Sequence, residues 1–355
     1  MKAWKKNIRQ VVPYVPGEQP KKEKMIKLNT NENPYPPSEK VLELMKDPAQ
    51  FDKLRLYPDP TASMLVEAIA DYKGLSKDQV FVGVGSDDVL AMAFMTYFNS
   101  EKPILFPDIT YSFYDVWADV FRIPFETKAL DDNFHIKKED YYGENGGVIF
   151  PNPNAPTGVL MPLSDIEDIL IHNQDVIVIV DEAYIDFGGI SAQPLLEKYE
   201  NLLVVQTFSK SRSMAGMRIG YAMGSAELIK ALNDVKYSFN SYTMNQPSIL
   251  WGTASIKDDD YFQKMVAKIV DTREWFKEEM KQLGFHFQDS MANFIFASHE
   301  TIPAKDIFMA AREKDIYVRY FNKPRIDNYL RITIGTREEM EEFLSFLKEF
   351  CGKYK

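Results

Sequence analysis

The sequence predicts an α/β fold in which a large domain with a mostly parallel, doubly covered sheet is followed by a smaller α+β domain. Three observations lead there. From Ser38 to about Tyr242, short β-branched runs alternate with amphipathic stretches of helical period, the rhythm of strands joined by crossover helices. The strand runs are continuously apolar rather than alternating, as strands buried on both faces require. Beyond about Tyr261 the rhythm becomes a long helical stretch, a hairpin and two arginine-bearing strands. We therefore assign residues 30–250 to the large domain, and residues 1–29 with 251–355 to the small domain and its N-terminal arm.

The elements follow in order. Residues 1–37 are rich in Pro, Asn and Lys, and LNTNENPYPPS reads as turns and extended chain. Residues 61–72 form a helix with Thr61 as N-cap, Leu65, Ile69 and Tyr72 along one stripe, and Gly74 as its stop. The clearest strands are 80–84, 104–106, 148–150, 176–180 and 203–206. After Tyr261 come a long helix, a hairpin through FHFQDSMANFIFAS, a helix near 304–314, the strands IYVRYF and YLRITIG, and a last helix.

Composition narrows the function. With 355 residues, 45% hydrophobic and 26% charged, the chain should fold into two or three lobes. Its 42 Lys and Arg against 52 Asp and Glu leave a net charge of −10, which disfavours a polynucleotide partner. The sole cysteine, Cys351, allows no intrachain disulfide and fits a reducing cytoplasm. No apolar leader or membrane-spanning run occurs, so a soluble cytoplasmic protein is expected. His135, His172, His286 and His299 lie far apart without HExxH spacing, so no metal site is expected.

In open parallel sheets ligands bind beyond the carboxyl ends of the strands, which directs attention to the strand-end motifs. After the first strand, Gly85-Ser86-Asp87 opens a helix whose free N–H groups suit a phosphate, though a plain strand-to-helix turn has the same signature. Asp181 leaves an apolar strand and needs either a cation or a donor, or else caps the next segment. Lys210 ends another strand, where desolvation can leave a free amine nucleophile. Arg218 lies near enough in sequence to hold a phosphate beside Ser209 and the Gly85 turn. Asn154 sits in a rigid proline turn from which its amide could reach a ligand. Tyr111 could lie flat on a planar ring or simply begin a helix. Together these residues describe the needs of pyridoxal phosphate.

The ordered series LNTNENPYPPS, LYPDP, GSDD, PNPNAPTG, DEAYIDF, FSKSRSMAGMRIGYA and YLRITIGT, over nearly the whole chain, resembles the histidinol-phosphate aminotransferases, a family of fold type I pyridoxal-phosphate transferases. The resemblance implies that Lys210 is the Schiff-base lysine and that Asp181 pairs with the pyridinium nitrogen of pyridoxal 5′-phosphate. It implies that Tyr184 donates to the phenolic oxygen and that Tyr111 stacks on the ring. The phosphate is then held by the backbone of the Gly85, Ser86 and Asp87 turn, by Ser209 and Arg218, and by Tyr57 of the second subunit of a homodimer, with Thr207 also among the cofactor-binding residues. On the substrate side Arg331 would take the α-carboxylate, while Tyr14 and Arg319 meet the distal phosphate. One departure stands out: the family commonly has Asn directly before Pro-Thr-Gly, where this chain has Ala155, so either Asn154 substitutes through a shifted turn or Tyr184 bonds the phenolic oxygen alone.

The implied activity is ping-pong transamination between L-histidinol phosphate with 2-oxoglutarate and imidazole-acetol phosphate with L-glutamate, a step of histidine biosynthesis. A threonine-phosphate decarboxylase and a broader aromatic aminotransferase are the alternatives within the fold. A regulator using the same cofactor would need a DNA-binding domain, for which the sequence before Leu28 leaves no room.

Overall fold

The computed structural model describes residues 2–22 and 24–354; Met1, Glu23 and Lys355, which belong to the arm and terminus assignments above, lie outside the described residues. The strands, in chain order, are β1 Ile26–Leu28, β2 Val80–Gly83, β3 Ile104–Pro107, β4 Phe125–Lys128, β5 Val148–Pro151 and β6 Val178–Asp181. They continue with β7 Leu202–Thr207, β8 Gly220–Met223, β9 Phe285–Phe287, β10 Phe294–His299, β11 Ile316–Tyr320 and β12 Leu330–Thr333. Seven of them form a sheet of order β2-β8-β7-β6-β5-β3-β4, and five form a second of order β1-β11-β12-β10-β9.

In the large sheet β8 runs antiparallel to both β2 and β7, and the other pairings are parallel. Each of the five predicted strands is present within two residues of its expected ends. Their unbroken apolar character has a direct cause. Val148, Phe150, Val178, Val180, Leu202 and Val204 point into one buried cluster, and Ile149, Ile179, Leu203 and Val205 into another on the opposite face. The exposed edge strand β4 and the glycine-led β8 lack that signature and were not expected.

The helix after Tyr57 shows a correction. It runs Ser63–Lys73, and the residue before it is Ala62 in the left-handed region (φ 47°), not Thr61 as cap. The capping is done by Asp59, whose carboxylate accepts N–H and hydroxyl bonds from both Thr61 and Ser63 at 2.6–2.9 Å. Those four bonds hold the Asp59 carboxyl far below the usual carboxylate range despite some desolvation. Leu65 and Ile69 are buried as expected, Tyr72 lies at the rim with its hydroxyl on Asp259 (2.7 Å), and Gly74 ends the helix at φ +67°.

The second sheet is antiparallel except where β1, from the N-terminal segment, adds to β11 in parallel. The 24-residue helix Asp259–Gln282 covers it, presenting Phe262, Val266, Ile269, Phe276 and Met280 at helical spacing to the sheet's apolar face. No helix among the described residues is long and apolar enough to cross a membrane.

Candidate active site

The carboxyl ends of β5, β6 and β7 meet the turn after β2 around a cavity of about 250 Å³. Its wall is built first by glycine. Gly85 adopts φ +87° to start the helix Ser86–Tyr97, and a Cβ there would lie 2.3 Å from the Arg218 guanidinium. Gly220 at the start of β8 would bring a Cβ within 2.3 Å of the Ser86 nitrogen, so a side chain at Gly85 would push the Arg218 guanidinium aside and one at Gly220 would displace the turn itself. The Asp88 carboxylate accepts the Val84 N–H at 2.9 Å and fixes the approach of the chain to that helix.

Around this turn the anion-binding groups converge. Arg218 Nη1 lies 3.4 Å from Ser209 Oγ and its Nη2 3.4 Å from Asp87 Oδ2. Thr207 Oγ1 accepts the Ser209 N–H at 3.1 Å and lies 3.0 Å from the Ser209 hydroxyl. Tyr111 donates its hydroxyl to Asp87 Oδ1 at 2.7 Å, and burial, reinforced by that carboxylate, raises its pKa. The ring of Tyr111 meets Tyr114 and Trp117 edge-on, which fixes its orientation in the wall.

Asp181 is 4% exposed at the end of β6. Tyr114 donates its hydroxyl to Oδ2 at 2.9 Å and Ala183 its N–H to Oδ1 at 3.2 Å. Burial nevertheless pushes its pKa up to about 6, and no ion pair reaches it among the described residues. The neighbouring Glu182 points the other way, into donors from Ser191, Ala192 and Gln206, and burial pushes it up to about 7. One of these adjacent acids is thus saturated by the fold, whereas the other faces the cavity short of a cation.

Lys210 lies across from Asp181, its Nζ 3.4 Å from the Thr30 carbonyl and 5.8 Å from the Tyr184 ring centre. The loop carrying it is pinned from several sides. Asn33 donates to the Lys210 and Ser211 carbonyls at 3.0 and 3.1 Å, and Ser211 is hydrogen-bonded to Asp186. Arg212 stacks on Phe262 at 4.0 Å and on Tyr72 at 4.9 Å while donating to the Ser255 carbonyl.

A second cavity of about 160 Å³ shares Thr30, Tyr111, Ala155, Tyr184 and Lys210 with the first and extends to Tyr14, Arg319 and Arg331. The two arginines, one on each of the arginine-bearing strands expected from the sequence, are direct partners across the β11–β12 register. Like charges so placed repel, and no carboxylate pairs with either among the described residues. Arg331 Nη2 donates to the Asn29 carbonyl at 3.0 Å, whereas its buried Nε has no hydrogen-bond partner among the described residues. Burial, with Arg319 adding to it, lowers the Arg331 pKa. Tyr14 reaches this cavity from the arm, stacked on Phe113 at 4.1 Å. A groove of about 440 Å³ between the helices Ser63–Lys73 and Ala226–Phe239 holds none of the candidate residues.

Two candidates stand elsewhere. Asn154 does not offer its amide to the cavity: Nδ2 donates to the Ile109 carbonyl and to Thr157 Oγ1, Oδ1 accepts from Thr110, and the residue is 1% exposed. The turn, through Thr157, and the segment after β3, through Ile109 and Thr110, occupy the amide, so Asn154 does not replace the usual Asn through a shifted turn, and it is Ala155 that lines both cavities. Tyr57 is 82% exposed, stacked on Tyr242 at 4.6 Å and outside both cavities of its own chain.

Asn31 was missed. At φ 56° it donates Nδ2 to the Tyr184 hydroxyl at 2.9 Å, exchanges bonds with Thr333 through its N–H and Oδ1, and accepts from Asn293 at its carbonyl. Its only sequence signal is the asparagine-rich NTNENP turn, since Asn tolerates positive φ better than other side-chain-bearing residues.

The family profile for aminotransferase class I and II matches residues 23–347. The chain is 51% identical over 352 residues to a histidinol-phosphate aminotransferase of Clostridium botulinum (strain Okra / Type B1), covering 99% of each chain. It is 53% identical over 348 residues to one of Lactococcus lactis subsp. cremoris (strain MG1363), covering 98% of each. Its backbone matches, at TM-score 0.84, the crystal structure of histidinol-phosphate aminotransferase from Sinorhizobium meliloti in complex with pyridoxal-5′-phosphate, over 93% of this chain and 92% of that one. At 21% identity that last likeness is one of fold.

Proposed function

Because the chain belongs to the histidinol-phosphate aminotransferases of aminotransferase class I and II, we propose that it interconverts L-histidinol phosphate with 2-oxoglutarate and imidazole-acetol phosphate with L-glutamate, by ping-pong transamination with pyridoxal 5′-phosphate. Asp181 carries this reading: a buried carboxylate short of a cation faces the same cavity as the Lys210 amine. The residues present fit the cofactor, since the Gly85 and Gly220 cradle suits its phosphate and Asp181 suits a protonated ring nitrogen. Relatives at 51% and 53% identity are named as transaminases, which weighs against the threonine-phosphate decarboxylase.

When bound, pyridoxal 5′-phosphate supplies an aldehyde that takes up the amino group and a cationic ring that draws electrons from the substrate's α-carbon. Lys210 would hold it covalently through Nζ; once the substrate's amine displaces that bond, the freed Nζ would remove and return the proton at the amino-bearing carbon of the substrate. Asp181 keeps the ring nitrogen protonated, and Tyr114 and the Ala183 N–H orient that carboxylate. Tyr184 donates to the phenolic oxygen, and Asn31 orients its hydroxyl. Ser86, Asp87, Thr207, Ser209 and Arg218 hold the phosphate, and Tyr111 covers the ring. Arg331 takes the α-carboxylate of glutamate, while Arg319 and Tyr14 take the distal phosphate of histidinol phosphate; adjacent and without a carboxylate partner among the described residues, the two arginines suit anionic substrates.

Purified protein should show an absorption band in the ~400 nm region that shifts on adding L-glutamate. Absence of any such change, with or without added pyridoxal phosphate, would remove the class of chemistry. Arg319→Ala should raise KM for histidinol phosphate by ~10²-fold and for glutamate much less, as loss of one charge-assisted contact predicts. Equal small effects on both substrates would point to a general aminotransferase.

The enzyme is further proposed to act as a cytoplasmic homodimer in which Tyr57 completes the neighbouring site. The exposed apolar side chains Leu54, Leu56, Tyr57 and Phe239 support such a contact. Mixing Tyr57→Phe subunits with Lys210→Ala subunits should give heterodimers with one undamaged site, because both lesions then fall in the other. Heterodimers without a site of normal cofactor affinity would show that Tyr57 acts elsewhere.

A further inference from the structure

The two arginines of the substrate cavity sit on a hairpin, β11 and β12, whose connecting loop reaches back to the large domain. In that loop Arg325 donates Nη1 to Asp108 Oδ2 at 2.8 Å and Nη2 to the carbonyls of Leu130 and Asp131 at 2.8 and 3.1 Å. Asp108 is itself set in place: it directly follows β3, its N–H donates to the Lys128 carbonyl, and its Oδ1 accepts the Leu130 N–H at 3.0 Å. The receiving site therefore belongs to the ends of β3 and β4, and three residues beyond Asp108 comes Tyr111 of the cofactor cavity.

Two further features make this a fixed contact rather than a passing surface pair. Arg325 holds φ 69°, a left-handed conformation that a long side chain adopts only when its surroundings enforce it. Beneath it lies an apolar cluster drawn from both domains: Ile109, Leu130, Phe134 and Val159 on one side, Phe296 and Ile326 on the other. Tyr329, two residues before Arg331, stacks on Phe296 at 4.7 Å and meets Phe134 edge-on at 5.2 Å. A guanidinium bonded in three directions is the directional element in that otherwise adaptable packing.

We infer that Arg325 is a positioning residue that locks the β11–β12 hairpin to the Asp108 turn and thereby sets where Arg319 and Arg331 stand relative to Tyr111 and Lys210. The inference rests on the reading that Arg319 and Arg331 hold the substrate's anionic groups. The hairpin is held between β1 and β10 in its own sheet, so without Arg325 it is that sheet as a whole that can shift against the Asp108 turn; the arginines are then correctly placed only part of the time, and substrate affinity falls by that fraction while the chemistry of bound substrate is untouched. The side chains of the pair are 38% and 28% exposed, which limits the size of the effect.

The test uses the cofactor-loaded enzyme with Arg325→Ala, Arg325→Lys, Asp108→Asn, Arg319→Ala and Arg331→Ala, measuring kcat and KM for histidinol phosphate and for glutamate, melting temperature, and hydrogen exchange across residues 316–333. For Arg325→Ala, KM should rise about five- to tenfold for both substrates with kcat within about threefold. Exchange in the hairpin should quicken. Arg325→Lys can reach Asp108 but cannot fork to the two carbonyls, so it should fall between Ala and wild type. Asp108→Asn keeps the shape and should shift KM in the same direction by less. If Arg325→Ala lowers the melting temperature but leaves both KM values unchanged while Arg319→Ala and Arg331→Ala raise theirs, the residue is a structural clamp and the inference is overturned. If Arg319→Ala and Arg331→Ala themselves leave KM unmoved, the anion-binding reading fails first and the inference falls with it.

Discussion

Lys210→Ala is expected to leave no useful transamination, with kcat reduced by ~10³-fold or more, while the protein still takes up pyridoxal phosphate. The two halves of this expectation come from different parts of the cavity. Lys210 lines both cavities, its amine held to the Thr30 carbonyl and to no carboxylate among the described residues. It is proposed both to attach the cofactor and to move the substrate proton, and alanine can do neither. The phosphate cradle is independent of it: Gly85, Ser86, Ser209 and Arg218 owe their places to the close approach of β8 and to backbone bonds. The Lys210 loop should also survive, because Asn33 bonds its backbone and Arg212 anchors the next turn from an aromatic cage. Steady-state rates with both substrates, together with cofactor binding by equilibrium dialysis, separate the two effects. Substantial turnover in the variant would refute the role given to Lys210, and loss of cofactor binding would show that the cradle is not self-sufficient.

The parts of the fold that were legible in the sequence are those in which one physical requirement dominates. Strands β5, β6 and β7 are buried on both faces, so their apolar runs could hardly be anything else, and the polar residues that end them stand out by contrast. Asp181 and Lys210 stand out by that contrast, which with the family resemblance marks them as site residues, and both line one cavity. Residues whose purpose is set by partners far along the chain were not legible. Asn31 contacts Tyr184, Asn293 and Thr333, and Arg325 contacts Asp108, Leu130 and Asp131; no local pattern announces either set. Asn154 shows the opposite difficulty. An asparagine amide suits a ligand and a structural role equally well, and here Thr157 of the turn and the Ile109 carbonyl of the segment after β3 take both bonds that its amino group has to give. Thr61 is similar, since a hydroxyl residue before a helix resembles a cap, yet Asp59 two positions earlier reaches both of the N–H groups concerned.

Asp181→Asn is expected to lower kcat by ~10²-fold or more, because it keeps the shape and the Tyr114 contact but removes the charge opposite the ring nitrogen. A second readout does not involve turnover. Without the cofactor, burial holds the folded-state pKa of Asp181 at about 6, above its ordinary value of 3.8. The folded state therefore binds the extra proton between those values, and the stability this contributes is complete below pH 3.8 and lost as pH rises through about 6. At neutral pH the ionised, unpaired carboxylate costs the cofactor-free protein ~3 kcal/mol by that shift. Asparagine carries no such cost, so the cofactor-free variant should melt higher than wild type at pH 7 to 8, and the advantage should vanish toward pH ~4. Glu182, raised to about 7 by burial, titrates in an overlapping window but is present in both proteins, so the difference between their melting curves isolates Asp181. Cofactor loading should reverse the order, since a cationic ring nitrogen stabilises the wild-type carboxylate and gives nothing to the amide. A variant with kcat within a few-fold of wild type and an unchanged dependence of melting on pH would reduce Asp181 to a cap on the Ala183 N–H.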